Sequence, residues 1–211
     1  NVMNIQNKSL ELCLLFSLPA CFGLIIASEE ITSALFGYGS FSEENVILTS
    51  KALKYFGYGV PAFALIKVLS NFLFARDNTK VPFYISAFIV FFNILISLTY
   101  FQEIGFVIIP IATSVSTWIG VLIYLILLIK FKHFRFEASF FVNLLKVVIS
   151  LVIMTLALYY SINFFEDKLI YSNYYKSIYL IMIVILAAGI YLLLARLLGV
   201  FKIKNFVTNK K

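Results

Sequence analysis

Long apolar runs separated by short polar stretches set the pattern of this chain. Six runs reach the roughly 20 residues that a helix needs to cross a bilayer: 10–36, 52–75, 82–101, 104–129, 140–164 and 177–200. The runs are continuous rather than alternating, which predicts helices and excludes the strands of a membrane barrel. Glu29 and Glu30 interrupt the first run, so its membrane part is predicted to end near Ser28, giving a span of about 10–28. Pro19 within that span predicts a kink, which membrane helices tolerate where a neighbour re-satisfies the freed carbonyl. The predicted fold class is all-α, a polytopic membrane bundle of six transmembrane helices.

Composition agrees with this pattern. The 211 residues are 62% hydrophobic and 13% charged, with a mean hydropathy of +0.99. A soluble domain carries about a quarter charged residues, so this chain needs hydrocarbon around it as well as a core. Aromatic residues reach 18%, suited to lipid-facing and interfacial surfaces. The net charge of +7 sits in short loops between the runs, which the positive-inside bias explains better than a nucleic-acid partner does. The chain starts at Asn1 without a signal peptide pattern and reads as a piece of something longer. Cys13 and Cys21 lie eight residues apart in one predicted helix, about 12 Å along its axis, too far for a disulfide.

The loops differ in sign on the two sides. The chain start, 76–81, 130–139 and the tail after 200 hold Lys8, Arg76, Lys80, Lys130, Lys132, Arg135, Lys202, Lys204, Lys210 and Lys211. Loops 29–51, 101–103 and 165–176 hold only Lys51, Lys168 and Lys176, against seven acids. Lys/Arg bias sets orientation, so both ends of the chain are predicted to be cytoplasmic.

Four cations fall inside the runs. Lys54, Lys146 and Arg196 lie near helix ends, where long side chains snorkel to the headgroups. Lys67 stands nine residues before Arg76, about 13 Å along the axis, close to the middle of a ~30 Å core. A charge there costs at least about 2.5–3.5 kcal/mol on insertion scales. Lys67 is therefore either a cavity-lining cation for an anionic substrate group or a snorkelling lysine on a tilted helix. Asn93 and Ser97, at i and i+4, share a helix face, and the next run carries Thr113, Ser114, Ser116 and Thr117. These groups can hydrogen-bond between helices or line a polar pocket, with Asn93, Ser97, Thr113 and Thr117 the leading candidates. Gly57 and Gly59 before Pro61 mark a closely packed or flexible stretch of the second span.

Enzyme signatures are missing. The sequence has no phosphate-binding loop of the GxxxxGK[ST] type, no GxSxG and no HExxH, and its one histidine, His133, has no second ligand nearby. No catalytic residue, metal site or cofactor is predicted.

Two stretches carry a family likeness. "LFSLPACFGLIIASEEITSALFGYGSF" (15–41) and "IKVLSNFLFARDNTKVPFYI" (66–85) resemble the MurJ/MviN family of the MOP exporter superfamily. In the second stretch the match includes Lys67, Val68, Leu69, Phe74, Arg76, Thr79 and Pro82, with "TKVP" where "TKTP" is usual. "LLGVFKIKNF" (197–206) resembles the usual end of these proteins. The resemblance implies a bacterial inner-membrane flippase of 14 spans that moves lipid II, the undecaprenyl-linked peptidoglycan precursor, to the outer leaflet for cell-wall synthesis. Under it, residues 1–136 supply four helices of the second lobe. Residues 137–211 supply two further helices flanking a lipid groove and a basic tail. The implied partners are lipid II or a related polyprenyl-pyrophosphate lipid, the membrane, and an eight-helix amino-terminal portion. It also implies substrate-binding roles for Lys67, Arg76 and Lys80, the last two as inner-gate or orientation charges. The family's cation site would fall near Asn93, Ser97 and Thr113, where this sequence has no acid. Another MOP exporter, of polysaccharide or drugs, or a non-transporting scaffold remains the alternative.

Overall fold

The structure is a computed structural model and describes residues 2–200. Its elements are α1 (Val2–Ile26), α2 (Ser28–Phe36), α3 (Glu43–Phe74), α4 (Lys80–Ile104), a 3₁₀ turn (Gly105–Val107), α5 (Ile108–Lys130), α6 (Ala138–Phe164), α7 (Glu166–Leu169) and α8 (Lys176–Leu197). No strand occurs among the described residues, as expected where lipid cannot satisfy a sheet edge. Five continuous helical stretches have the length and apolarity to cross a membrane, the longest being the 51 residues of Lys80–Lys130. That stretch turns at Gly105, whose φ of 73° suits glycine. Beyond the turn α5 runs back along α4, so 93 pairs with 113 and 89 with 120. Six crossings result.

Several predicted boundaries move. The first helix begins at Val2 rather than 10, and breaks at Ala27 before α2 carries the chain on to Phe36. The second span begins at Glu43, where Ser42 caps α3 by accepting from the Asn45 amide at 3.3 Å, with Glu43 and Glu44 favourably placed at the positive helix end. At 32 residues α3 is about 48 Å long, so its ends project beyond the hydrocarbon. The predicted loop 101–103 is helical, and the real reversal is the 3₁₀ turn after it. The tail cations Lys202, Lys204, Lys210 and Lys211 lie outside the described residues.

The crossings pack in the order α4–α5–α3–α1–α6–α8, with α2 bridging α3 and α8. Two apolar clusters form. One joins Leu10 to Leu69, Tyr124, Leu128 and Phe134; the other joins Leu15 to Leu151, Met154, Ala187 and Tyr191. α1 thus serves both, from residues five apart. Close approach is built in at Gly120, where a Cβ would stand 2.3 Å from Ile89 Cδ1, so a larger residue there displaces the Ile89 side chain between α4 and α5. Much of the outer face is apolar and exposed, as at Phe83, Leu98 and Leu193, and this surface suits lipid tails.

Two of the four prolines are placed where a missing N–H costs nothing. Pro82 and Pro110 sit in first turns, where that donor has no helical partner. Pro19 lies inside α1 and leaves the Leu15 carbonyl without its donor. The buried Tyr191 hydroxyl on α8 donates to that carbonyl at 2.7 Å, the rescue that a membrane helix with an internal proline requires.

Candidate functional site

Lys67, Asn93, Thr113 and Thr117 come together in one groove of about 460 Å³ between α3, α4 and α5. Each helix reaches it by its own periodicity. α3 presents Phe63, Ile66 and Lys67, α4 presents Ser86, Ile89, Val90 and Asn93, and α5 presents Thr113, Ser116 and Thr117, spacings of three and four that share a face. The groove exists because α3 and α4 both pack on α5 and barely on each other. Lys67 is exposed at its edge, seven residues from the end of α3, about 10 Å along the axis.

The polar lining is ordered by the helices themselves. Asn93 Nδ2 donates to Thr113 Oγ1 at 2.8 Å, joining α4 to α5. Thr113 Oγ1 in turn donates to the Ile109 carbonyl, Ser116 Oγ to Ala112 and Thr117 Oγ1 to Thr113, at 2.7, 2.7 and 2.6 Å. Each hydroxyl keeps lone pairs for a further donor. Asn93 and Thr113 therefore act as helix glue and as groove lining at once. On the opposite face, Ser114 Oγ and Trp118 Nε1 donate to the carbonyls of Tyr55 and Tyr58, holding α5 against the turns of α3 before Pro61.

Three other candidates lie elsewhere. Ser97 falls beyond the groove, its Oγ buried without a hydrogen-bond partner. Arg76 is half-buried and donates from Nη1 to the Phe72 carbonyl at 2.6 Å and from Nη2 to the His133 carbonyl at 3.0 Å. It links the two loops on one side of the membrane. Lys80 is exposed at the first residue of α4, away from the groove.

Three residues gained a role that the sequence did not suggest. Asn7 is buried and donates to the Met3 and Arg135 carbonyls while accepting from the Glu137 amide, so α1 grips the loop before α6. Lys176, counted as a loop cation, is 1% exposed. Its Nζ donates to the Gly37 and Tyr171 carbonyls at 2.7 Å each, and sits 4.4 and 4.5 Å from the centres of the Tyr38 and Tyr171 rings. Tyr191 is the third. The only signal available for any of them was a polar group in or beside an apolar run.

A second groove, about 500 Å³, runs between α1, α6 and α8 and is lined almost wholly by carbon, including Gly23, Leu24, Met154 and Ala187. The first groove is also mainly apolar, with Lys67, Asn93 and a few hydroxyls as its polar points, whereas the second has almost none.

A family model described as lipid II flippase MurJ matches residues 1–180. The chain belongs to the MurJ family. It is 32% identical over 160 residues to the probable lipid II flippase MurJ of Rhizobium meliloti (strain 1021), covering 76% of this chain and 30% of that protein. With the corresponding protein of Rhizobium tropici the identity is 30% over 198 residues, covering 93% and 37%. A solved structure of lipid II flippase MurJ in an inward closed conformation superposes with a TM-score of 0.73 at 27% identity, covering 93% of this chain and 39% of that one. The chain thus spans about a third of the length of the curated relatives it matches. Membership of the MurJ family and its apolar helices make it a multi-pass protein of the bacterial inner membrane. The family is named for transport, not for bond chemistry.

Proposed function

We propose that this chain is the carboxy-terminal part of a lipid II flippase, completed by an eight-helix portion that supplies the facing lobe. The observation that carries this reading is Lys67. It stands on the edge of the α3–α4–α5 groove, with the hydroxyls of Thr113 and Thr117 and the amide of Asn93 beside it, in a chain of the MurJ family. A lone ammonium with a few hydroxyls beside it in a mainly apolar groove meets a pyrophosphate as a point charge with three donors. A facing lobe would cover the groove and spare Lys67 exposure to lipid, which is costly.

In this reading residues 1–136 form the lobe and 137–211 add two helices. The carbon-lined groove of α1, α6 and α8 takes part of the polyprenyl chain, in exchange for bilayer tails of the same polarity. Arg76 and Lys80 set the charge at the inner gate, with both chain ends cytoplasmic.

The test is made in the complete protein, in cells depleted of their own lipid II flippase. Lys67→Gln abolishes or sharply cuts rescue of growth while membrane insertion persists, and Lys67→Arg keeps part of it, because charge matters more than fork geometry here. Full growth on Lys67→Gln would assign the residue to snorkelling.

A further inference from the structure

A third concavity differs in chemistry from both grooves. It is a polar pocket of about 300 Å³ between the first turns of α1, the start of α6 and the residues that end α8, the volume of about ten waters. α1 lends Asn4, Lys8 and Glu11, and α6 with its preceding residue lends Glu137, Ser139 and Lys146. Gly199, with φ at 73°, turns the chain so that Val200 closes one side.

The walls are fixed. Asn7 holds the Arg135 carbonyl and the Glu137 amide, and Asn143 Nδ2 donates to Glu11 Oε2 at 3.0 Å. These bonds tie α1 to α6 and aim the remaining charges into one space. Lys8, Lys146 and Ser139 make no side-chain hydrogen bond to described residues, and Glu11 keeps its second oxygen. Two ammonium groups and two carboxylates therefore share the pocket, with no net charge among the described residues.

The pocket also opens at a particular depth. Lys146 lies eight residues into α6, about 12 Å from its start, so the pocket reaches from the residues before α6 down to that depth, on the side of the bundle that holds the beginning of α1. Val142 and Ile149, one turn either side of Lys146 on its own face, are apolar and exposed. A molecule seated here by its polar end would lay its hydrocarbon along α6.

We propose that this pocket binds the headgroup of a zwitterionic aminophospholipid, with phosphate on Lys8, Lys146 and Ser139 and primary ammonium on Glu11 and Glu137. Lysine binds phosphate as a point charge, and charge-assisted hydrogen bonds are the stronger kind. An anionic glycerol headgroup would satisfy the lysines and leave both carboxylates facing it. A choline headgroup has the right charges but no N–H to donate to Glu11 or Glu137. The preference is thus for phosphate and a primary amine in one ligand.

The test uses the complete protein that carries this chain, purified in detergent, with bound lipid counted by native mass spectrometry. Phosphatidylethanolamine, phosphatidylglycerol and phosphatidylcholine of matched acyl chains compete at equal concentration. The ethanolamine lipid is retained in about fivefold excess over phosphatidylglycerol, the ratio given by one extra favourable charge contact, and in excess over phosphatidylcholine through the N–H donors that choline lacks. Glu11→Gln with Glu137→Gln removes that excess while leaving phosphatidylglycerol binding intact or stronger. Glutamine keeps an acceptor for Asn143, and an unchanged unfolding midpoint checks the fold. Lys146→Gln, which strands no buried group, lowers binding of all three phospholipids. Equal retention of the three lipids, or an excess that survives these variants, overturns the proposal. Glycerophosphoethanolamine has the same headgroup without chains and leaves the bound lipid in place. Displacement by it would assign the pocket to a free solute and overturn the lipid reading.

Discussion

Tyr191 and Leu15 are 176 residues apart, yet the tyrosine hydroxyl supplies the hydrogen bond that the leucine carbonyl loses to Pro19. Tyr191→Phe keeps the ring and strands that carbonyl where no water reaches it, a loss of about 1–3 kcal/mol. In a Pro19→Ala background the alanine N–H serves the same carbonyl, so the tyrosine change costs much less. A double-mutant cycle on unfolding in detergent checks this; equal losses in both backgrounds would show the bond to be incidental.

Lys176 closes the opposite cap. Its ammonium satisfies the Gly37 and Tyr171 carbonyls and rests on two tyrosine rings, tying the turn after α2 to the start of α8. Lys176→Met preserves the stem but leaves two carbonyls unpaired, each worth about 1–3 kcal/mol. Amide exchange in residues 36–42 and 170–176 accelerates in this variant, while the α4–α5 hairpin keeps its protection. Unchanged exchange in both segments would contradict the role.

Arg76 uses two nitrogens to reach two carbonyls, one in the last turn of α3 and one in the loop before α6. A lysine has one nitrogen and no planar fork, so Arg76→Lys loses most of what Arg76→Ala loses, about 1–2 kcal/mol after allowance for partial exposure. Unfolding midpoints of the two variants test the point. If Arg76→Lys matches the parent, the residue acts by charge alone.

Orientation is open to direct labelling. In a background without Cys13 and Cys21, single cysteines at Ser40 or Ser172 react with an impermeant maleimide added to intact cells. Cysteines at Arg135 or Ser139 react only after permeabilisation. The reverse pattern would place both ends of this chain outside.

Much of the bundle was legible because lipid leaves the backbone little choice. An apolar run of some 20 residues must satisfy its own amides and carbonyls, so the six crossings follow from run length. Their ends were less legible. Val2–Leu10 and Glu43–Lys51 continue helices outside the apolar runs, where capping by Ser42 and tertiary contacts decide rather than hydropathy. The groove was half legible: Lys67, Asn93, Thr113 and Thr117 stood out as polar residues in apolar surroundings. Ser97 stood out equally, yet it lies beyond the groove, because a shared helix face does not fix how far a neighbouring helix extends along it.

The sequence by itself determined that this chain crosses a membrane, roughly where, and which polar residues would have to be accommodated. Only the tertiary structure decided which helices meet. The order α4–α5–α3–α1–α6–α8 leaves α3 and α4 apart over α5 and so opens the groove that gathers four of the candidates. The long-range hydrogen bonds of Arg76, Asn7, Lys176 and Tyr191 span 57, 128, 139 and 176 residues. Helical periodicity reports on residues three and four apart and carries no information at those separations. A lysine's place in a loop count cannot tell whether it faces water or two carbonyls and two rings; the packing of α2 against α8 settled that for Lys176.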